Sequence, residues 1–299
     1  MKVEKLFELT GHHAAIYCLE QGINENSIFS GSGDKIATSW DIEKKENIPF
    51  TIQNKSAVLA LKHIEKHHYL LIGLFNGNLH VIDTQNKKEI KFIPYHKEAL
   101  FHISYDENHD RIFLLSGDGT VSVWSSDFKL IKSIALGKDK IRHMEMMQEK
   151  GIAVFSCGDG FVRIMNLFSL EIIHEFLAHD KVNIARFHPT KKVLLTGGKD
   201  AMLKVWNYEA DYQHVLTIPA HNWALYSILF SNDNKYLITA SRDKTMKVWD
   251  AQSLELLERI DYRNHKGHTH SINCLLWPKG KDYFISGSDD KKIIAWRFL

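Results

Sequence analysis

Apolar and polar residues follow a small set of patterns along this chain, and each pattern is typical of a β-strand. Near-continuous apolar stretches such as residues 224–230 indicate strands that are covered on both faces. Stretches in which apolar and polar residues alternate, such as residues 120–124 and 202–206, indicate strands with two unlike faces. More polar stretches contain Pro49 and Pro219, which fit an edge strand because a missing donor there leaves no ladder bond unmade. The chain is therefore predicted to be all-β.

The same order of strands and turns recurs along the whole chain. One position of the recurring unit is held by Trp40, Ile82, Trp124, Met165, Trp206, Trp249 and Trp296. The steps between these residues are 42, 42, 41, 41, 43 and 47 residues long. Self-similarity at such a period is the signature of repeat folds, so the sequence predicts seven like units.

Polar residues at fixed distances from that position mark most of the units. An Asp precedes it by six residues, as Asp34, Asp118, Asp159, Asp200, Asp243 and Asp290, with Asn76 in unit two. A His stands 21 or 22 residues before the Asp, as His12, His96, His179, His221 and His268, with Asn54 and Lys138 in units two and four. A hydroxyl stands four residues before the Asp, as Ser30, Thr196, Thr239 and Ser286, with Ile72, Leu114 and Phe155 in units two to four. Units one, five, six and seven are therefore complete, and units two to four have eroded.

This arrangement resembles the WD-repeat β-propeller family over the whole chain. The residues that carry the resemblance are Gly11-His12 with Trp40-Asp41, Ala220-His221 with Trp249-Asp250, and Gly267-His268 with Ser286, Asp290 and Trp296. The resemblance implies a seven-bladed β-propeller of four-stranded antiparallel blades. It also implies a hydrogen-bonded network in each complete unit: His12-Ser30-Asp34-Trp40, His179-Thr196-Asp200-Trp206, His221-Thr239-Asp243-Trp249 and His268-Ser286-Asp290-Trp296.

The two ends of the chain are expected to share one blade. Residues 2–10 read as a strand that precedes the first complete unit, whereas the seventh unit stops one strand short at Leu299. We expect residues 2–10 to form the outer strand of the last blade, which would remove the open junction of the propeller. Residues 1–299 are then predicted to form a single domain without linker or appended segment.

Charge and composition limit the classes of function. The net charge of +2 gives no global field that would recruit nucleic acid or an anionic membrane. No apolar stretch is long enough for a signal peptide or for the ~20 residues of a spanning helix. Cys18, Cys157 and Cys274 are widely separated, so we interpret them as buried free thiols of a reducing cytosol and predict a cytoplasmic protein.

The polar markers invite catalytic and metal-binding interpretations, and we favour neither. A catalytic Ser, His and Asp set is needed once, at a cleft, whereas this set is repeated in four units and ends on a Trp donor. The 18 histidines lack a Cys or carboxylate set with zinc-ligand spacing. We therefore predict no catalytic residue, no metal and no cofactor.

The function is expected to lie on a surface. In the family that the chain resembles, the face around the central channel commonly binds peptides, and similarity to that pattern singles out one set of residues. The predicted partner-binding residues are Tyr17, Phe75, Phe101, Lys140, Arg142, Lys181, Lys199, Trp223, Tyr226 and Arg242. Cations gather in units four to six and aromatic residues in units one to three, which suggests an acidic or phosphorylated segment with one apolar anchor. The alternative is that these are ordinary solvated cations and partly buried aromatic residues.

We accordingly predict a non-enzymatic interaction scaffold with a protein or peptide partner, acting as a monomeric propeller within a larger assembly, without membrane or nucleic acid. Two other functions stay open: an RNA-associated scaffold that uses the basic sector, and an enzyme that uses the channel mouth. Two smaller questions also stay open. Residues 261–266 are either a tolerated insertion or a contact loop, and the eroded units have either exchanged polar markers for apolar packing or form a docking side.

Overall fold

The computed structural model describes residues 2–299, which form seven four-stranded antiparallel sheets. In each sheet the strands pair in chain order, except that the last sheet also takes up the first strand of the chain. The sheets are the blades of a β-propeller, so the predicted all-β, seven-bladed fold is confirmed.

The 28 strands are numbered in chain order. Blade 1 contains β2 (Ile16–Gln21), β3 (Ser27–Ser32), β4 (Ile36–Asp41) and β5 (Glu46–Gln53). Blade 2 contains β6 (Val58–Ile64), β7 (Tyr69–Leu74), β8 (Asn78–Asp83) and β9 (Lys88–Pro94). Blade 3 contains β10 (Leu100–Asp106), β11 (Arg111–Ser116), β12 (Thr120–Ser125) and β13 (Leu130–Ala135). Blade 4 contains β14 (Ile141–Met147), β15 (Ile152–Cys157), β16 (Phe161–Asn166) and β17 (Glu171–Leu177).

The remaining blades have the same organisation. Blade 5 contains β18 (Val182–Phe187), β19 (Val193–Gly198), β20 (Met202–Asn207) and β21 (Gln213–Pro219). Blade 6 contains β22 (Leu225–Phe230), β23 (Tyr236–Ser241), β24 (Met246–Asp250) and β25 (Leu256–Ile260). Blade 7 contains β26 (Ile272–Leu276), β27 (Tyr283–Ser288), β28 (Ile293–Phe298) and β1 (Val3–Leu9).

Backbone contacts divide the chain into two compact units, written unit 1 and unit 2, which are distinct from the seven repeat units of the sequence. Unit 1 runs to Phe75 and continues with Leu79–Ile93 and Tyr226–Leu299, so it holds blades 7, 1 and 2 and most of blade 6. Unit 2 comprises Asn76–Asn78 and Pro94–Leu225, and it holds blades 3, 4 and 5. That residues 1–299 form a single domain remains a prediction.

The first strand completes the last blade, as the sequence predicts. Strand β1 pairs antiparallel with β28, from Val3 opposite Phe298 to Leu9 opposite Ile293. The backbone N–H of Leu299 donates to the carbonyl of Lys2 at 2.9 Å, which extends the pairing by one residue. Val3 packs in the same apolar cluster as the fully buried Trp296, so the two chain ends share a core as well as a sheet.

The cores consist of large apolar side chains from neighbouring blades. In unit 1, Phe284 and Trp296 pack with Ile238 and Met246, and all four are fully buried. In unit 2, Phe113, Phe155 and Met165 fill the same role. Contact between neighbouring repeats thus buries several apolar clusters in each unit, as is typical of repeat folds.

The polar networks that the resemblance implies are present in blades 1, 5 and 7. In blade 7, Nδ1 of His268 lies 2.9 Å from Asp290 Oδ2, and its Nε2 lies 2.8 Å from Ser286 Oγ. The indole N–H of Trp296 donates to the same hydroxyl at 2.8 Å. Equivalent bonds are made by His12, Ser30, Asp34 and Trp40 and by His179, Thr196, Asp200 and Trp206. In blade 6, Trp249 donates to Thr239 at 3.0 Å.

The interpretation of unit three as eroded is wrong. His96 Nε2 lies 2.7 Å from the hydroxyl of Ser122, and Trp124 Nε1 donates to that hydroxyl at 2.8 Å. Ser122 therefore replaces the hydroxyl that position 114 lacks. In repeat units two and four, which form blades 2 and 4, Ile72 and Phe155 occupy the position of the missing hydroxyl and are fully buried. This fits the exchange of polar markers for apolar packing.

The insertion at residues 261–266 forms a single helical turn, α1 (Tyr262–His265). The Asp261 side chain caps it by accepting a hydrogen bond from the backbone N–H of Asn264 at 2.9 Å. The carbonyl of Lys266 accepts a bond from Lys5 Nζ at 3.3 Å, so this segment rests against β1. Within residues 2–299, no helix is both long enough and apolar enough to cross a membrane.

Candidate functional site

A β-bulge lies at the beginning of the first strand in blades 1, 2, 3, 4, 5 and 7. In blade 1, Ile16 pairs with Ser32 and Cys18 pairs with Gly31, which leaves Tyr17 as the extra residue. The extra residues in the six blades are Tyr17, Leu59, Phe101, Arg142, Asn183 and Asn273. A bulge disrupts the pairing of a strand locally and changes the direction of the side chain at its extra residue. The repeat thereby presents one side chain per blade at the same strand end.

The turn before the third strand of each blade lies at that same strand end. The backbone N–H of Gly158 donates to the carbonyl of Lys140 at 2.8 Å, and that of Lys199 donates to the carbonyl of Lys181 at 3.0 Å. Corresponding bonds join Gly33 to Ala15, Phe75 to Ala57, Gly117 to Ala99 and Asp289 to Ser271. The bulge residue and the turn residue of one blade are therefore neighbours, although about 16 residues separate them in sequence.

Four predicted cations of unit 2 come together here. We call Lys140, Arg142, Lys181 and Lys199 the basic rim. Desolvation lowers the pKa of Lys140, and repulsion from Arg142, Lys181 and Lys199 lowers it further. The guanidinium carbon of Arg142 lies 5.0 Å from the centre of the Phe101 ring, a cation–π contact that holds it against blade 3. The rim therefore combines crowded positive charge with one aromatic surface.

Two carboxylates, which the sequence analysis did not single out, partly neutralise the basic rim. Lys181 Nζ lies 2.8 Å from Asp139 Oδ2, and Lys199 Nζ lies 3.8 Å from Asp180 Oδ2. The hydrogen bond from Lys181 is the largest of the effects that hold the pKa of Asp139 below its ordinary value. Both pairs are solvent-exposed, so each contributes little stability and can exchange its partner readily. Within residues 2–299, Lys140 makes no salt bridge with Asp139 or Asp180.

The other predicted site residues are divided between the two units. Tyr17, Phe75, Tyr226 and Arg242 belong to unit 1, whereas Trp223 belongs to unit 2. Phe75 and Trp223 are 61% and 54% exposed, which is unusual for large apolar side chains. Tyr17 lies near a negative charge. Desolvation raises the pKa of its hydroxyl, and the carboxylate of Asp289 raises it further. Of the predicted aromatic anchors, the structure thus places Phe101 beside the basic rim.

Two histidines that the sequence analysis passed over follow the bulges of blades 3 and 4. The rings of His102 and His143 lie 4.7 Å apart between centres. His143 is only 9% exposed, and its pKa lies well below its ordinary value because of desolvation, with His102 and Arg186 adding repulsion. Each of these histidines stands one residue after a predicted site residue, so the repeat could have pointed to both of them. Within residues 2–299 no group of three or more His, Cys, Asp or Glu is placed to hold a metal ion.

The His, hydroxyl and Asp networks cannot present a nucleophile to a substrate. Ser30, Thr196 and Ser286 are completely buried, and each hydroxyl already lies within bonding distance of an imidazole and an indole. A buried hydroxyl that has both partners satisfied stabilises the blade. These sets are therefore structural parts of the repeat.

Comparison with known proteins agrees with the architecture. The chain is 24% identical to the serine-threonine kinase receptor-associated protein of Rattus norvegicus over 241 residues, which covers 80% of this chain and 67% of the relative. It is 25% identical to WD repeat-containing protein 1 of Gallus gallus, covering 80% of this chain and 48% of the relative. It is 20% identical to the striatin homolog of Dictyostelium discoideum, covering 98% of this chain and 34% of the relative.

The family comparison matches the complete units of the repeat. The model of the WD domain, G-beta repeat, matches residues 3–41, 170–207, 212–250 and 261–297, which together make up just over half of the chain. These segments contain units one, five, six and seven, the four that carry every polar marker. The repeat, the networks and the seven four-stranded blades lead to one conclusion: the chain belongs to the WD domain, G-beta repeat family.

Proposed function

We propose that this protein is a non-enzymatic scaffold that binds an acidic or phosphorylated segment of a partner protein at the basic rim of unit 2. The observation that carries the proposal is the convergence of Lys140, Arg142, Lys181 and Lys199 at neighbouring strand ends. Cations that crowd one another gain when an anion arrives, because its charge relieves their mutual repulsion. Carboxylate and phosphate groups are the anions that Arg and Lys recognise on proteins.

Phe101 supports the choice of a peptide over a free anion. Its half-buried ring lies under Arg142 and offers an apolar surface beside the positive charge. Aromatic and Arg residues are enriched among the residues that dominate binding energy at protein interfaces. A segment with one apolar side chain next to its acidic group would use both features at once.

The relatives support a role in protein association. The rat relative is named for association with a serine-threonine kinase receptor, and proteins of this family generally act as non-enzymatic scaffolds. We propose that this chain acts likewise, as a monomeric propeller within a larger assembly. The three free cysteines favour a reducing compartment, and we propose the cytoplasm.

Affinity capture from cell extract with quantitative mass spectrometry tests the proposal. The rim variant carries Lys140→Glu and Arg142→Glu. A matched control carries Lys129→Glu and Lys192→Glu, which reverse the same number of charges at the opposite strand ends of the same unit. We expect the rim variant to lose partners that the wild type and the control retain, at equal thermal stability.

A second variant tests the rim by gain of binding. Asp139→Asn releases Lys181 from its carboxylate and raises the net positive charge of the rim. Captured partners should therefore bind more tightly, and the gain should shrink as salt is raised because the rim is exposed. Equal capture by the wild type and the rim variant would overturn the proposal. Loss of all captured partners on ribonuclease treatment would favour the RNA-associated alternative instead.

A further inference from the structure

A cleft of about 390 Å³ opens in unit 1, where strand β1 bends beside the turn between β4 and β5. The bend is a β-bulge, since Lys5 pairs with Trp296 and Phe7 pairs with Ala295, leaving Leu6 as the extra residue. Leu6 and Phe7 both line the cleft. Its volume is near the lower end of the range for ligand pockets, about 300–1,000 Å³, and suits one large side chain with its neighbour.

The floor of the cleft is apolar and fixed in shape. Ile42 is buried at 2% exposure. The rings of Phe7 and Tyr283 meet edge to face with centres 5.9 Å apart. Such an aromatic pair holds its geometry and adds to the energy of area burial alone. The floor therefore favours an apolar, preferably aromatic, side chain.

The hydroxyl of Tyr283 supplies a hydrogen-bond donor that the protein does not use. The residue is 8% exposed and lines the cleft, and within residues 2–299 its hydroxyl has no hydrogen-bond partner. Desolvation, with Asp282 and Glu43, raises its pKa to about 12, so that the proton stays in place at neutral pH. Because no group of residues 2–299 accepts this proton, the hydroxyl can donate it to an acceptor of a ligand in the cleft.

The charges around the cleft leave one cation unbalanced. Arg297 Nε lies 3.2 Å from Asp282 Oδ2, and Lys281 Nζ lies 2.6 Å from the Asn26 side-chain oxygen and 3.8 Å from Glu43. Lys45 Nζ instead lies 5.5 Å from the centre of the Phe7 ring and makes no ion pair with any carboxylate of residues 2–299. The cleft is therefore complementary to a single negative charge. A ligand with several carboxylates would be repelled by Glu43 and Asp282, which also line the cleft.

We propose that this cleft binds a short segment of a partner protein in which one aromatic or large apolar side chain stands next to one carboxylate. The apolar side chain would lie on Leu6, Ile42 and Phe7. The carboxylate would pair with Lys45, and a backbone carbonyl or the carboxylate itself would accept the hydrogen bond of Tyr283. None of the four cations of the basic rim lines this cleft, so the two proposals stand or fall separately.

Titration with capped tetrapeptides tests the proposal. The probes are acetyl-Ala-Phe-Asp-Ala-amide and the matched peptides in which Asn replaces Asp or Ala replaces Phe. Binding is followed by amide chemical shifts of the ¹⁵N-labelled full chain. We expect saturable shifts in β1 and in the turn between β4 and β5 with the first probe, and at least tenfold weaker binding of the other two.

Variants of the protein locate the contacts. Lys45→Glu should abolish binding of the Asp probe, whereas Lys44→Glu, one residue earlier in the same turn and outside the cleft, should retain it. Tyr283→Phe keeps the ring and should weaken binding about fivefold, as expected for one lost hydrogen bond. Tyr236→Phe is the matched control, because this Tyr packs on Phe298 and lies outside the cleft. Thermal unfolding checks that all four variants are folded.

Three results would overturn the proposal. The first is an absence of shifts in β1 and the turn at millimolar probe. The second is equal binding of the Asp and Asn probes, or unchanged binding by folded Lys45→Glu protein. The third is sedimentation that depends on concentration and is abolished by Lys45→Glu while no probe binds, which would assign the cleft to a second copy of this chain.

Discussion

Trp124 donates a hydrogen bond from Nε1 to the hydroxyl of Ser122, which stands only two residues earlier on the same strand. In blades 1, 5, 6 and 7 the equivalent Trp reaches a hydroxyl ten residues earlier, on the neighbouring strand. Blade 3 has therefore kept the bond and moved its acceptor from the second strand to the third. The side chains of one network need to meet in space, and more than one position in the sequence can supply the oxygen.

Replacing Ser122 with Ala should destabilise the protein. The change removes the partner of Nε2 of the buried His96 and the partner of the Trp124 indole N–H, and each lost buried bond costs about 1–3 kcal/mol. We expect a loss of about 2–3 kcal/mol in the free energy of unfolding, measured by urea denaturation. Ser133→Ala, at an exposed position of β13, is the control and should change it by less than about 0.5 kcal/mol. Equal effects of the two substitutions would show that the network is not the source of stability.

Trp296 should be among the most costly side chains to truncate. It is completely buried, donates to Ser286 and packs in the cluster that includes Val3 of the first strand. Trp296→Ala should lower the free energy of unfolding by about 3–5 kcal/mol, whereas Trp223→Ala, at an exposed position, should lower it by less than about 1 kcal/mol. Urea denaturation midpoints would show the contrast. A small effect at Trp296 would contradict its place in the core of blade 7.

Substitutions at two glycines can distinguish the cost of backbone strain from the cost of a steric clash. Gly160 and Gly151 both have left-handed backbone, with φ of +92° and +62°. A Cβ at Gly160 would lie 2.4 Å from the carbonyl oxygen of His179, whereas a Cβ at Gly151 would meet nothing within 4 Å. Gly151→Ala should therefore cost only the backbone preference, about 1–2 kcal/mol, and Gly160→Ala should cost clearly more. Thermal unfolding of the two variants measures the difference, and equal losses would refute the steric argument.

Stability should fall as the pH drops below about 6.5, the ordinary pKa of His. Burial keeps the pKa of His143 well below that value in the folded state, with His102 and Arg186 facing it. The unfolded chain then binds a proton that the folded chain does not, so this contribution to stability is complete above the ordinary pKa and is lost as the pH decreases. His63 and His96, whose pKa values burial also lowers, act in the same direction.

The His143→Leu variant should flatten this pH dependence by up to about 1.4 kcal/mol per pH unit, the value for one proton. Urea denaturation at pH 5.5 and 7.5 provides the measurement. His270→Gln is the matched control because His270 is exposed, and this variant should keep the slope of the wild type. An unchanged slope in His143→Leu would mean that the buried imidazole does not titrate in this window.

The repeat made most of the fold predictable, because periodic sequence and periodic structure have the same cause. The pairing of β1 with β28 could be inferred from a missing strand at one end and an additional strand at the other. The site was less accessible from the sequence. Lys181 and Lys199 were found, but their pairing with Asp139 and Asp180 depends on loop geometry that no period encodes.

The cleft of unit 1 could be predicted from the sequence even less than the basic rim. It depends on the bulge at Leu6, on the edge-to-face contact of Phe7 with Tyr283 and on the turn that carries Lys45. These residues are far apart in sequence and belong to no marker of the repeat. An irregularity in one strand is a property of its pairing with another strand, and a single sequence does not display that pairing.

The pairing of β1 with β28 also bears on how the protein is made. Strand β1 is synthesised before β28, so Glu8 cannot form its ion pair with Lys292 until 284 further residues have been made. During that interval β1 is an unpaired edge strand, and its Leu6 and Phe7 side chains are exposed. Such a surface can bind chaperones or promote aggregation. A chain released early, before β28 has been made, should therefore be prone to aggregation and rapid degradation.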